Sequence, residues 1–382
     1  MKRAASLFII PAMLLCAPTE GARAEMGAPE LSASSAVLTE AESGRVLYGK
    51  DASEPMKIAS TTKILTALVA LELCDPDETV TVKREWTGIE GSSMYLKPDE
   101  KLTVRDLLYG LMLVSGNDAA VALACHAAGG VSEFAGLMNE RAAGIGCGGS
   151  SFANPSGLDE EGHFSTARDL AAITAEAMKN DAFAEIVSAK YADVAGRELK
   201  NHNRLLWDYP GTLGVKTGYT ISAGRSLVSC AERGGVRLIC VTLDDRDDWA
   251  DHAALYDWAF DTYARFTIKR GEQIDALLPV ISGVKAFVRL AAGADASFIL
   301  GRGEKYAATV NAPKFVYAAV ARGGHAGEML IEIGGETIAR LPLLYGETVR
   351  IRETEKRGFW EKLKLVWFAA NRYGFFRPPV YY

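Results

Sequence analysis

The sequence predicts a mixed chain of the α/β class, α+β in organisation, followed by a small all-β domain and a terminal amphipathic helix. Three observations carry this. Apolar residues recur at helical spacing in several segments between residues 60 and 266, and strand-like runs are interleaved with them. From about residue 271 the helical period disappears, and short β-like runs with glycine-rich turns take over. At the far end Phe359, Trp360, Leu363, Val366, Trp367, Ala370 and Tyr373 return to steps of three and four, with Lys362, Lys364 and Arg372 largely off that face.

In order, residues 36–38 and 45–48 read as a hairpin turned by Glu42-Ser43-Gly44. A helix is expected over 60–73, with Ile64, Leu65, Leu68 and Leu71 on one face. Two more are expected over 104–113 and 118–127, separated by the polar break Ser115-Gly116-Asn117. A fourth spans 165–179, with Ser165 or Thr166 available as N-cap. Strand-like runs follow at 214–220, 225–231 and 236–243, then a helix over 249–266. In the β domain, 329–333 and 337–341 flank Gly334-Gly335 as a hairpin.

The 382 residues carry a net charge of −6, unevenly spread: about +2 on residues 1–24, +5 on 356–382, and −13 on the body between them. An acidic body argues against a nucleic-acid binder with a broad basic face. Lys2 and Arg3, the apolar stretch 4–17 and Ala22-Arg23-Ala24 read as an export signal over residues 1–24. The basic aromatic helix, residues 357–377, suits an anionic membrane surface. Domains are therefore expected at 30–266 and 271–354, with the chain exported and attached peripherally at the extracytoplasmic face of the membrane, in the periplasm or its equivalent.

The cysteines outside the signal, Cys74, Cys125, Cys147, Cys230 and Cys240, show neither a CxxC nor a metal-ligand spacing, so no disulfide scaffold is expected. Cys230 and Cys240 fall on two strands joined by Arg233-Gly234-Gly235, which makes them candidate neighbours. His126, His163, His202, His252 and His325 are scattered without an HExxH pair, and neither a metal nor a cofactor is expected. Gly144-Ile145-Gly146-Cys147-Gly148-Gly149 matches GxGxxG but follows a helical run, so it reads as a turn.

Three short motifs remain: Ser60-Thr61-Thr62-Lys63, Ser115-Gly116-Asn117 and Lys216-Thr217-Gly218. Each is weak alone; their order, spacing and context agree. Residues i and i+3 share a helix face, so Lys63 lies beside the Ser60 hydroxyl. Free N–H groups at a helix start stabilise an oxyanion. Lys216 nearby disfavours the charged form of Lys63, which readies it to take the serine proton. Lys216 and Thr217 on a strand edge can bind a substrate carboxylate.

With these motifs, the chain resembles the low-molecular-weight penicillin-binding proteins, serine-type D-alanyl-D-alanine carboxypeptidases. Segments 55–63, 91–98, 115–120, 154–158, 165–169, 203–207 and 214–220 share the likeness, which spans residues 34–266. It implies the transpeptidase fold of penicillin-binding proteins and β-lactamases, an antiparallel sheet with helices. It also implies acylation of Ser60, with Lys63 as general base and Ser115 relaying the proton to the departing D-alanine. Asn117 would hold the substrate amide, and Lys216, Thr217 and Gly218 would bind its end. The backbone N–H groups of Ser60 and Tyr219 would form the oxyanion hole. Implied partners are peptidoglycan stem peptides ending in D-Ala-D-Ala, with β-lactams as covalent inhibitors. Tyr219 stands where some members have His, and a basic residue of some relatives falls on His202 or Arg204, with Arg246 as a further carboxylate aid. A β-lactamase would need a deacylating Glu in E-x-x-x-N, which Glu160-Glu161 does not supply. A penicillin sensor would need spanning helices, and a silent wall-binding module would not need every motif intact. A D,D-endopeptidase shares all these residues and is the nearest rival.

Overall fold

The computed structural model describes residues 27–353 and Lys364; the expected export signal and, Lys364 apart, the expected terminal helix lie outside them. The chain divides into two compact units between Ala264 and Arg265.

The first unit opens with the hairpin β1 (Ser35–Glu40) and β2 (Val46–Lys50). A short 3₁₀ turn, Ala59–Thr62, leads into α1 (Lys63–Leu73). A small ribbon, β3 (Thr79–Thr81) with β4 (Lys101–Thr103), precedes α2 (Val104–Leu113), α3 (Asn117–Ala128) and α4 (Val131–Ile145). Next come α5 (Ala167–Ala177), α6 (Asp181–Ser188), the ribbon β5 (Tyr191–Val194) with β6 (Arg197–Lys200), and one turn, α7 (Leu205–Asp208). The strands β7 (Thr212–Thr220), β8 (Gly224–Arg233) and β9 (Val236–Leu243) and the helix α8 (Asp248–Thr262) complete the unit.

Local chemistry sets these ends. Thr103 and Asp106 form a reciprocal capping box at the start of α2, with bonds of 2.9 and 3.1 Å. Of the two expected N-caps, Thr166 is the one used: its Oγ1 accepts from the Asp169 N–H at 3.0 Å. Gly146, in the GxGxxG match, closes α4 at φ 96°, a turn as expected.

The main sheet runs β2-β1-β9-β8-β7, every pairing antiparallel. Val228, Cys230, Ile239, Val241 and Leu243 point into the core built with α1 to α6. Ser229 and Thr242, on the other face, meet α8 through His252. The sheet is thus covered on both sides, which leaves β7 as an edge strand. Cys240 pairs in register with Ser229, and Cys230 with Ile239, so the two thiols lie on opposite faces and both are free. The neighbour relation expected of them fails by one residue of register.

The helix expected over 249–266 stops at Thr262, and β10 (Tyr263–Ile268) takes over. Thr262, Tyr263, Phe266, Thr267 and Ile268 are β-branched or aromatic and favour the extended chain.

Through residue 353 the regular structure of the second unit is all β. β10 pairs with β13 (Ala296–Gly301). The larger sheet combines β11 (Gln273–Ile281), β12 (Phe287–Ala292), β14 (Tyr306–Asn311), β15 (Val316–Tyr317), β16 (His325–Ile333) and β17 (Glu336–Tyr345) in the order β14-β16-β17-β12-β11-β15. Val288, Leu290, Ile331, Leu341, Leu343 and Val349 form its core.

Candidate active site

Ser60 sits in the 3₁₀ turn ahead of α1, one turn earlier than a regular helix start would place it. The two threonines between Ser60 and Lys63 hold that turn. Thr61 Oγ1 donates to the Ile58 carbonyl at 2.6 Å and Thr62 Oγ1 to the Ala59 carbonyl at 2.8 Å. His163 braces it: Nδ1 accepts from the Ala153 N–H at 3.1 Å, so the ring hydrogen sits on Nε2 and is donated to Thr62 Oγ1 at 2.7 Å. Burial lowers this imidazole to about 4, which keeps it neutral. Ala59 and Ser115 both adopt positive φ, 47° and 61°, so the backbone is strained on either side of the site.

Lys63 is fully buried. Its Nζ lies 2.9 Å from Ser60 Oγ, 2.7 Å from Asn117 Oδ1 and 2.5 Å from the Ser156 carbonyl. The Asn117 amide orientation is fixed at its other end, where Nδ2 donates to the Glu90 carbonyl at 2.6 Å. Two of the three partners of Lys63 are therefore pure acceptors. A neutral amine has two N–H donors and one lone pair; with both donors spent on Asn117 and Ser156, the lone pair faces the Ser60 hydroxyl. Desolvation, then the charge of Lys216, hold Lys63 well below the ordinary lysine range, partly opposed by Asp118.

Asn117 opens α3, and its neighbour Asp118 organises the segment across from it. Asp118 Oδ1 accepts from the Met94 N–H at 3.0 Å, and Oδ2 from the Leu96 N–H at 3.0 Å and Ser93 Oγ at 2.6 Å. The Ser115 hydroxyl, two residues before Asn117, is buried and has no protein partner. An unpaired buried hydroxyl costs about 1–3 kcal/mol, which a substrate engaging it would recover.

Lys216 lies on the edge strand β7, is 1% exposed, and is lowered by burial to about 7. Its neighbour Gly218 is required by close approach. A Cβ there would fall 3.0 Å from the Ile58 carbonyl and 3.2 Å from the Ser60 and Thr61 nitrogens, all backbone atoms. The main chain of Gly218-Tyr219 is thus pressed against the Ser60 turn, while the Tyr219 side chain stands 66% exposed. A cavity of about 590 Å³ opens alongside, lined in part by Glu90, Asn154, Ser156, Asp159, Thr220 and Ile221.

The three motifs therefore converge, Lys63 touching both Ser60 and Asn117 while feeling Lys216. Ser156 and Asp118 lie outside the three short motifs. Asn154 Oδ1 accepts from the N–H groups of Ser156 and Gly157 at 3.2 and 2.8 Å, an Asx-type turn that sets the Ser156 carbonyl. Of the further basic candidates, Arg204 is paired with Asp208 at 2.9 Å. His202 is lowered by burial and then by the charge of Lys216.

A family model described as D-alanyl-D-alanine carboxypeptidase matches residues 22–247. The chain belongs to that family. It is a serine-type D-alanyl-D-alanine carboxypeptidase, a hydrolase. The D-alanyl-D-alanine carboxypeptidase DacF of Bacillus subtilis is 33% identical over 387 residues, covering 95% of this chain and 97% of the relative. DacC of Escherichia coli is 34% identical over 373 residues, with 92% of each chain covered. Penicillin binding protein 5 from Haemophilus influenzae superposes with a TM-score of 0.70 at 30% identity, over 84% of this chain and 98% of that one. The fold is that of the penicillin-binding proteins, as the sequence predicts.

Proposed function

We propose that the carboxypeptidase removes the terminal D-alanine from peptidoglycan stem peptides ending in D-Ala-D-Ala, through an acyl-enzyme on Ser60. The observation that carries this is the hydrogen-bond set at Lys63: with Asn117 Oδ1 and the Ser156 carbonyl taking two N–H donors, a neutral amine turns its lone pair to Ser60 Oγ, 2.9 Å away. Lys63 takes that proton as Ser60 attacks the carbonyl between the two D-alanines. The backbone N–H groups of Ser60 and Tyr219 face the oxyanion, and Asn117 holds the preceding amide. Lys216 and Thr217, with Gly218 giving room, bind the terminal carboxylate. Ser115, whose hydroxyl is otherwise unpaired, passes the proton to the leaving D-alanine nitrogen. Water then hydrolyses the ester and restores Ser60. A β-lactam, which presents a reactive amide and a carboxylate in the same relation, acylates Ser60 and departs slowly.

The test is an intact-mass measurement after incubation with benzylpenicillin. Wild type should gain one adduct and Ser60→Ala none; an adduct surviving on Ser60→Ala would sink the mechanism. Release of free D-alanine from a pentapeptide, set against cleavage of a crosslinked dimer, separates the carboxypeptidase from an endopeptidase.

The site of action belongs to the same proposal: export under residues 1–24, then peripheral attachment to the extracytoplasmic membrane face through the basic aromatic segment 357–377. The support is the charge and apolar patterning of the two ends. Deletion of residues 357–382 should move the protein from the membrane pellet to the supernatant, and a truncated chain that still sediments contradicts the attachment.

A further inference from the structure

Away from the catalytic centre, three side chains of different donor chemistry meet where α1 and α3 end. Cys74 caps α1, Glu78 lies one turn of chain further on, and His126 is in the last turn of α3. Their ligand atoms all lie within 4.8 Å of one another. His126 Nε2 and Glu78 Oε1 are 3.2 Å apart. A tetrahedral zinc ion with bonds of about 2.0–2.3 Å spaces its N, O and S ligands about 3.3–3.7 Å apart. The Glu78–His126 edge, at 3.2 Å, is already close to that length, and Cys74 Sγ lies within 4.8 Å of both partners, so a shift of about 1 Å would close the triangle.

The frame around these residues is held from several sides. The Cys74 N–H closes α1 on the Ala70 carbonyl at 3.0 Å, and the Glu78 N–H closes its turn on Asp75 at 3.0 Å. The same turn is tied to the start of α2, with Val104 N–H on the Glu78 carbonyl at 3.0 Å and Arg105 N–H on Pro76 at 2.8 Å. On the other side, Gly129 at φ 81° ends α3 just beyond His126. Cys74 and His126 are half-buried and Glu78 is exposed, so the cluster opens to solvent on one side, where a water can supply a fourth ligand.

We propose that Cys74, Glu78 and His126 bind a zinc-class divalent cation. A thiolate, an imidazole and a carboxylate together select a borderline-soft ion over calcium or magnesium, which favour all-oxygen sites. The position gives the ion a structural role. α1 and α3 begin at the catalytic centre, with Lys63 and Asn117 as their first residues, and end at this cluster. The ion therefore pins together, about 16–18 Å from the chemistry, the two helices that carry the base and its amide partner. Linear spacing gives no sign of the site, because Cys74 and Glu78 share one turn while His126 comes from a different helix.

The experiment uses the full chain, freed of metal with EDTA and kept reduced with TCEP. Zinc titrated calorimetrically should bind with one equivalent and a Kd of about 1 μM or tighter. Cobalt in its place should give a thiolate-to-metal charge-transfer band in the near ultraviolet and the visible absorption of a tetrahedral site. Cys74→Ser should remove the charge-transfer band, and His126→Gln and the exposed Glu78→Gln should each weaken zinc at least ~10-fold, with far-ultraviolet dichroism unchanged. Glu78→Gln lies on the surface and keeps a folded chain available if the other two fail to fold. No stoichiometric zinc binding by the wild type would overturn the proposal, leaving an ordinary Glu78–His126 contact. So would a cobalt band that survives Cys74→Ser, or zinc affinity unchanged in Glu78→Gln.

Discussion

The two units of this chain use β-structure to opposite ends. In the catalytic unit β1 is buried along its whole length, and β8 and β9 over most of theirs. In the second unit β11 and β17 alternate with exposed or half-exposed positions. The polar interior divides in the same way. Among the described residues, tyrosines apart, every buried polar or charged side chain precedes residue 253, and the core of the second unit is hydrocarbon. Burying Lys63, Lys216, Asp118 and His163 without partners would be costly, so the catalytic unit surrounds most of them with aimed acceptors and donors. Among its described residues the second unit buries no such charge. Function here is concentrated where the fold accepts buried charge, strained φ angles and one unpaired hydroxyl.

The largest effect that separates the units should come from Lys63→Met. The thioether fills the space but offers no lone pair of comparable basicity and no donors to Asn117 or Ser156. Acylation by benzylpenicillin should slow by at least ~10³-fold, or about 4 kcal/mol in barrier. Stability should change little, since losing a desolvated amine offsets leaving two acceptors unpaired. Stopped-flow acylation with a chromogenic β-lactam reads the first quantity and urea unfolding the second. Acylation within tenfold of wild type would remove Lys63 as the base.

The converse substitution is Ile331→Ala, fully buried in the second unit. It should lower the stability of that unit by about 2–5 kcal/mol through lost burial and a residual cavity. The residues assigned to the mechanism lie between 60 and 219, so the acylation rate at a temperature where the variant is folded should stay within about twofold of wild type. Loss of acylation in step with stability would mean that the two units unfold and work as one.

Much of the catalytic unit was legible because its signals are carried by side chains. Ser60, Lys63, Asn117 and Lys216 announce themselves by residue type and spacing, and α2 and β9 follow from apolar periodicity with boundaries that match. What stayed hidden is carried by the main chain or by register. The carbonyls of Ser156 and Glu90, which fix the hydrogen bonds of Lys63 and Asn117, have no sequence signature. The 3₁₀ turn at Ala59–Thr62 is invisible to a rule based on 3.6-residue periodicity. One residue of register decided that Cys230 and Cys240 face apart, and only pairing could show it. At Thr262 a helical stripe of aromatic residues ran on into a strand, since aromatic side chains serve both periods.

A smaller but more diagnostic effect concerns pH. Lys216 titrates at about 7 in the folded chain against an ordinary value of 10.5. Above about pH 7 the free enzyme loses the charge that faces the substrate carboxylate. The second-order rate with a peptide ending in a free carboxylate should fall ~10-fold per pH unit there, while a substrate lacking that carboxylate should show no such limb. Stability runs the other way. The unfolded chain keeps the proton up to about 10.5 while the folded chain releases it near 7, so ΔG of unfolding should rise between these values and be flat below 7 as far as Lys216 is concerned. Lys216→Met should abolish the carboxylate-specific limb and the rise in stability together. A limb that persists in Lys216→Met would assign the titration to another group.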